Sequence, residues 1–176
     1  YTLSLHDALP IDLIFSLRDS ASVAATGVSG AGASWSQIGT AHTGNSTIRG
    51  YCFVGIAPTA TGSTNLTVTL SGTPSLGAQT TAYHWYNANQ TTPTTVCTGA
   101  NSGNLSVTVP SGGRAVSIQY DSVDQRTVSG CTTTRDHNAY TFGFGYAAAN
   151  CDTGATFTWS GFGAISFALG MDVAKQ

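Results

Sequence analysis

Residues 104–120 read NLSVTVPSGGRAVSIQY. Leu105, Val107 and Val109 fall on one side of an extended chain and Ser106 and Thr108 on the other, which is the two-residue period of a half-buried strand. Pro110 ends the run, because it has no N–H to give to a central ladder. Ser111-Gly112-Gly113 turns the chain, and alternation resumes with Val116, Ile118 and Tyr120 facing inward. The stretch predicts a β-hairpin.

The same period recurs on both sides of it. In NLTVTL (65–70) Leu66, Val68 and Leu70 share a face opposite Thr67 and Thr69. Further strands are expected in DLIFSL, SWSQIGTA, TIRGYCFVGIA and TAYHWYN. AYTFGFGYA (139–147) reads as one strand, with Tyr140, Phe142, Phe144 and Tyr146 on one face. Gly143 and Gly145 on its other face mark a close backbone approach or a bend. ATFTWSG and AISFALGM form an expected closing pair around Gly161 and Gly163, with Phe157, Trp159, Ile165, Phe167 and Leu169 inward. No stretch carries a sustained helical period. The expected fold is all-β: a single domain over 12–176, an antiparallel two-sheet β-sandwich of jelly-roll-like or immunoglobulin-like type.

Composition narrows the function classes. The chain has 176 residues, of which 8% are charged, far below the usual quarter. All eight acids are Asp, and Lys175 is the one lysine. A formal net charge of −2 with scattered arginines excludes the clustered basic footprint of a nucleic-acid partner. No run of eighteen apolar residues occurs, so no helical membrane span is expected.

The order of segments resembles a loose family of β-sandwich domains found in bacteriophage structural proteins and bacterial surface proteins. That family carries a GDLL-type strand, matched here by Asp12-Leu13, and a TWT strand with a Trp, matched by Trp35. A TVTVTFSG-type strand corresponds to Asn65 through Gly72, and an EYSG strand ending in STTP to Tyr86 with Thr91, Thr92 and Pro93. The family's Glu is replaced by His84 or Trp85. SVTVPSGGRAVSI and TFTWSGFGAISFAL are similar to its second half, so the resemblance runs over 12–176. It implies a non-enzymatic role in a virion (tail, fibre or capsid decoration) or at a cell surface. The partners it implies are other subunits, self-association included, and host-surface glycan. It implies no reaction and no cofactor.

Residue chemistry points the same way. Acid–base catalysis needs two carboxylates, or a His with a partner, in one cleft. Asp121 and Asp124 follow a strand end, and Asp136, His137 and Asn138 are expected in another loop. Nothing in the sequence brings these groups together, and loop Asp commonly closes an Asx-turn. GFGAIS (161–166) mimics half a dinucleotide fingerprint but lacks a following helix. His42, His84 and His137 lack metal-ligand spacing, and His84 reads as a packed or edge histidine. Tyr83, Trp85 and Tyr86 are the candidate ligand-binding residues. An exposed aromatic row on a β-sandwich stacks on sugar rings, and a carbohydrate-binding module is the alternative function. Alternation sets Tyr83 and Trp85 on one face, His84 and Tyr86 on the other, and one face must be core.

The cysteines are Cys52, Cys97, Cys131 and Cys151, with no C-x-x-C spacing. Cys52 reads as a small core residue. Cys97 and Cys131 flank the expected 104–122 hairpin at similar distances from its turn and are the expected disulfide. The first eleven residues, YTLSLHDALPI, back-translate codon for codon to a sequence resembling a widely used sequencing-library adapter. They are expected to be non-native, with a native strand lost before DLIFSL, and residues 1 to about 9 are expected to pack poorly or to fill that strand's place without good side-chain contacts. Without Asp7 the formal net charge moves from −2 to −1.

Overall fold

The computed structural model describes residues 11–18, 22–44, 48–56, 65–75, 77–85, 88–89, 91–92, 96–100, 105–109, 111–121, 128–129, 134–141, 144–151, 156–159 and 166–174. All regular structure among them is strand, and every pairing is antiparallel. The strands are β1 (Ile11–Arg18), β2 (Ala25–Gly30), β3 (Ser34–Gly44), β4 (Ile48–Ile56), β5 (Leu66–Leu70), β6 (Gly77–His84) and β7 (Cys97–Ala100). The second half supplies β8 (Leu105–Thr108), β9 (Arg114–Asp121), β10 (Val128–Ser129), β11 (Thr134–Thr141), β12 (Phe144–Cys151), β13 (Thr156–Trp159) and β14 (Ser166–Val173). Ile11, the last residue of the expected adapter segment, belongs to β1 opposite Gly55 and His84. Residues 1–10 lie outside the described residues.

The strands form four sheets, ordered β3-β4-β1-β6, β11-β12-β9-β14-β7, β10-β13-β8 and β2-β5. The three-stranded sheet is not an independent unit. Its lateral order matches that of β11-β12-β9 strand for strand. Leu105 opposes Trp159 and Thr108 opposes Thr156 in one sheet; Ala115 opposes Cys151 and Asp121 opposes Gly145 in the other. The register therefore runs on with a slip of only two residues. β8 and β9, β13 and β12, and β10 and β11 thus occupy corresponding places in the two sheets. β8 lies over β14, with Leu105 and Val107 above Gly170.

This overturns the hairpin expected over 104–120. β8 pairs with β13 and β9 with β12 and β14, so the two expected arms share no ladder. The alternation was real: Leu105, Val107 and Val109 are each 3% exposed, while Ser106 and Thr108 are exposed. Gly112, at φ 67°, sits in the turn at 111–112 between strands that enter different ladders. The expected closing pair fails likewise, since β14 lies between β9 and β7 and β13 between β10 and β8. The aromatic run 139–147 is not one strand either. Thr141 opposes Phe144 and Tyr140 opposes Gly145, so its two ends belong to neighbouring antiparallel strands, and Phe142 and Gly143 lie outside the described residues.

Two apolar clusters among the described residues flank β4. Ile48 and Cys52 from β4, Val116 and Ile118 from β9, and Leu169, Met171 and Val173 from β14 form one cluster together with Trp85 and Ala88. It faces the four-stranded sheet onto the five-stranded one. The odd-numbered neighbours on β4, Tyr51 and Phe53, join Val23 and Ala25 beneath the β2–β5 ribbon, where half-buried Val28, Leu66, Val68 and Leu70 close the second cluster. β4 is thus covered on both sides, which is why its burial shows no alternation. Each large side chain buried here stabilises by about 1.5–3 kcal/mol.

β9 and β14 are also covered on both sides. Ala115 and Ser117, pointing away from the Val116–Ile118 face, are fully buried. The Ser117 hydroxyl donates to the Leu169 carbonyl at 2.7 Å. Ser117→Ala should lower the unfolding free energy by about 1 kcal/mol, the usual net worth of such a bond. Urea unfolding of the two proteins checks it, and an unchanged midpoint would show that the hydroxyl contributes nothing.

Candidate functional site

The most interlocked constellation lies where β3 and β4 of one large sheet meet β7 of the other. Cys52 Sγ and Cys97 Sγ are joined, 2.08 Å apart, across a 45-residue separation with Cα atoms 6.1 Å apart. Cys52 is fully buried in the shared cluster and Cys97, the first residue of β7, is half-buried at its margin. The expected pairing of Cys97 with Cys131 is therefore corrected. That expectation placed Cys97 and Cys131 at the open end of a β8–β9 hairpin, and β8 and β9 do not pair. Cys131 itself lies outside the described residues. The small core residue expected at 52 is buried, but it is one half of the bridge.

Three further contacts surround the bridge. His42 Nε2 lies 3.1 Å from the Cys97 carbonyl oxygen. Its imidazole covers Gly99, where a Cβ would come within 2.9 Å of His42 Cβ and Cγ. Only a residue without a side chain lets β3 approach β7 this closely. On the other flank the Val96 N–H donates to Asp172 Oδ1 at 2.7 Å. Asp172 is 6% exposed on β14, a carboxylate between the buried Met171 and Val173. Such an acid needs hydrogen-bond donors to tolerate burial, and the amide just before β7 is one of them.

The aromatic candidates separate. Tyr83 and Trp85 share a face, as alternation requires, and stack with ring centroids 5.8 Å apart at 17°. That face is the core. Trp85 is 7% exposed within the cluster beneath the four-stranded sheet, and Tyr83 packs half-buried against it. A buried indole has no free face for a sugar ring, so the pair is not an exposed platform. Tyr86 lies outside the described residues. His84 is exposed on β6, an outer strand of its sheet.

The register sets Asp121 and Asp136 at different levels of the five-stranded sheet. Asp136, His137 and Asn138 sit within β11, paired to Ala149, Ala148 and Ala147, rather than in a loop. Asp121 ends β9 opposite Gly145, at the level of Tyr140 on β11. Four residues along the strand direction separate it from Asp136, roughly 13 Å at ~3.4 Å per residue. Asp124 lies outside the described residues. Among the described residues no three His, Cys, Asp or Glu side chains group as metal ligands.

Sequence reading missed His42 and Asp172 as the groups around the bridge. Asp172 did leave a signal, a lone acid in the apolar run ISFALGMDV (165–173). His42 left none, because the Gly99 it covers is distant in sequence. Comparison of the chain with protein-family models, with curated proteins and with solved structures gives no match.

Proposed function

We propose that the chain is a non-enzymatic structural or surface-recognition module, belonging to a phage virion (tail, fibre or capsid decoration) or to a bacterial surface protein. The observation that carries this reading is the Cys52–Cys97 bridge between the two large sheets. Disulfides persist in oxidising surroundings, outside the cell or on a particle. The rest of the molecule is consistent with that setting. Its described outer strand faces are hydroxyl-rich and charge-poor, as in Thr67, Thr69, Ser106 and Thr108. The proposed partners are neighbouring subunits or a host-surface molecule, met through loops and outer strands.

Mass spectrometry of gradient-purified particles and of the cell-surface fraction from the source material tests the proposal. The chain is expected to sediment with other particle proteins or to remain with the surface fraction, its bridge intact under non-reducing conditions. Recovery only as a soluble cytosolic monomer with free thiols would overturn it.

A further inference from the structure

We infer that the Cys52–Cys97 bridge is a redox latch on β7: breaking it frees that strand and opens the β3–β7 seam while the layers around β4, β9 and β14 stay folded. Three observations carry the inference, and none depends on where the protein works. First, β7 is the last strand of its sheet and only four residues long, held by one ladder to β14 from Ala168 to Met171. All four of its residues are half-buried, whereas β14 from Leu169 to Val173 is buried throughout. Second, His42 touches Cys97 and Gly99 across the seam, while the Val96 amide on Asp172 ties the entry of β7 to β14 within its own sheet. Val96 itself is 47% exposed, so the entry to β7 meets solvent. Third, Cys52 sits among Ile48, Val116, Ile118, Leu169 and Met171, where a released thiol packs as a small apolar group. The core therefore accommodates the reduced state, and the loosening falls on the Cys97 side.

The chemistry is ordinary thiol–disulfide exchange with a dithiol reductant. A reductant thiolate attacks Cys97 Sγ, the more accessible sulfur. The S–S bond breaks, and its electron pair leaves on Cys52 Sγ, which takes up a proton. The reductant's second thiol gives up its proton and, as thiolate, attacks the reductant sulfur of the mixed disulfide; that S–S bond breaks, Cys97 leaves as a thiolate that takes up a proton from solvent, and the reductant ends as a cyclic disulfide. A thiolate leaving into the apolar cluster is disfavoured by burial, so exchange proceeds through brief opening of β7.

Hydrogen exchange followed by mass spectrometry tests the latch on the intact chain, before and after dithiothreitol and on the double variant Cys52→Ala/Cys97→Ala. The variant isolates this bridge from any effect of dithiothreitol on Cys131 and Cys151. In the variant, amides of 96–100 and of β3 around His42 should lose protection by about tenfold or more, while those of 114–118 and 169–173 remain protected. Reduced parent protein should show the same pattern. Collapse of protection at 114–118 and 169–173 to the level of 96–100 would mean that the bridge holds the whole fold, and unchanged protection at 96–100 would mean that β7 needs no latch; either result overturns the inference, whereas a core that stays far better protected than 96–100 despite the lower global stability supports it. If the variant does not fold, the reduced parent decides by the same two criteria.

Discussion

Replacing Cys52 and Cys97 together by alanine should lower the unfolding free energy by roughly 4 kcal/mol, the chain-entropy value for a loop closed across about 45 residues. The effect acts on the unfolded state. Without the cross-link the chain between β4 and β7 samples many more conformations when unfolded, and folding must give them up. A domain of this length has on the order of 10 kcal/mol to draw on, so the variant still folds but unfolds at clearly lower urea. Its m-value should rise slightly, because the unfolded ensemble is no longer pinched. Single variants separate the two pairings. With Cys97 bonded to Cys52, Cys52→Ala breaks the bridge and Cys131→Ala does not. If Cys131→Ala carried the large loss while Cys52→Ala cost only about 1 kcal/mol, as trimming one buried atom would, the pairing seen here would be wrong.

The second large effect is expected at Gly170. Glycine inside a strand usually weakens it, and replacement by alanine would ordinarily stabilise by about 0.5–1 kcal/mol. Here the sign reverses. A Cβ at 170 would overlap Val107 Cγ2, lie 3.5 Å from Leu105 Cδ2 and approach the Val116 carbonyl oxygen at 3.4 Å. Val107 is β-branched, 3% exposed and fixed in β8, so it has few rotamers in which to withdraw. Gly170→Ala should therefore cost about 2–3 kcal/mol through overpacking. Val107→Ala alone should cost about 2 kcal/mol by leaving a cavity. Because the new methyl at 170 fills space vacated at 107, the double variant should be less destabilised than the two losses combined, by about 1–2 kcal/mol. Strict additivity in urea melts would show that β8 does not press on β14.

The strands themselves were legible from the residues. Alternation in LTVTL and LSVTV marks which side chains go inward, because the two-residue period is a property of the extended backbone and needs no distant partner. Parity was legible too, as Tyr83 and Trp85 show. What local pattern cannot express is which face another layer covers. Tyr83 and Trp85 would alternate identically on a solvent platform and in a core, and only the cluster of Trp85 with Val116, Ile118 and Leu169 decides between them. The aromatic alternation of 139–147 likewise fits one strand as well as two neighbouring ones until Thr141 is seen opposite Phe144.

The sequence by itself determined an all-strand chain, poor in charge, with its polar and apolar positions sorted by parity; these follow from backbone geometry and composition. The tertiary structure alone decided which strands pair, that β8 and β9 enter different ladders instead of closing a hairpin, and that Cys97 meets Cys52. Such choices depend on contacts between segments far apart in the chain, where the gain comes from burying both faces of β4, β9 and β14 at once. No short stretch of residues records that gain.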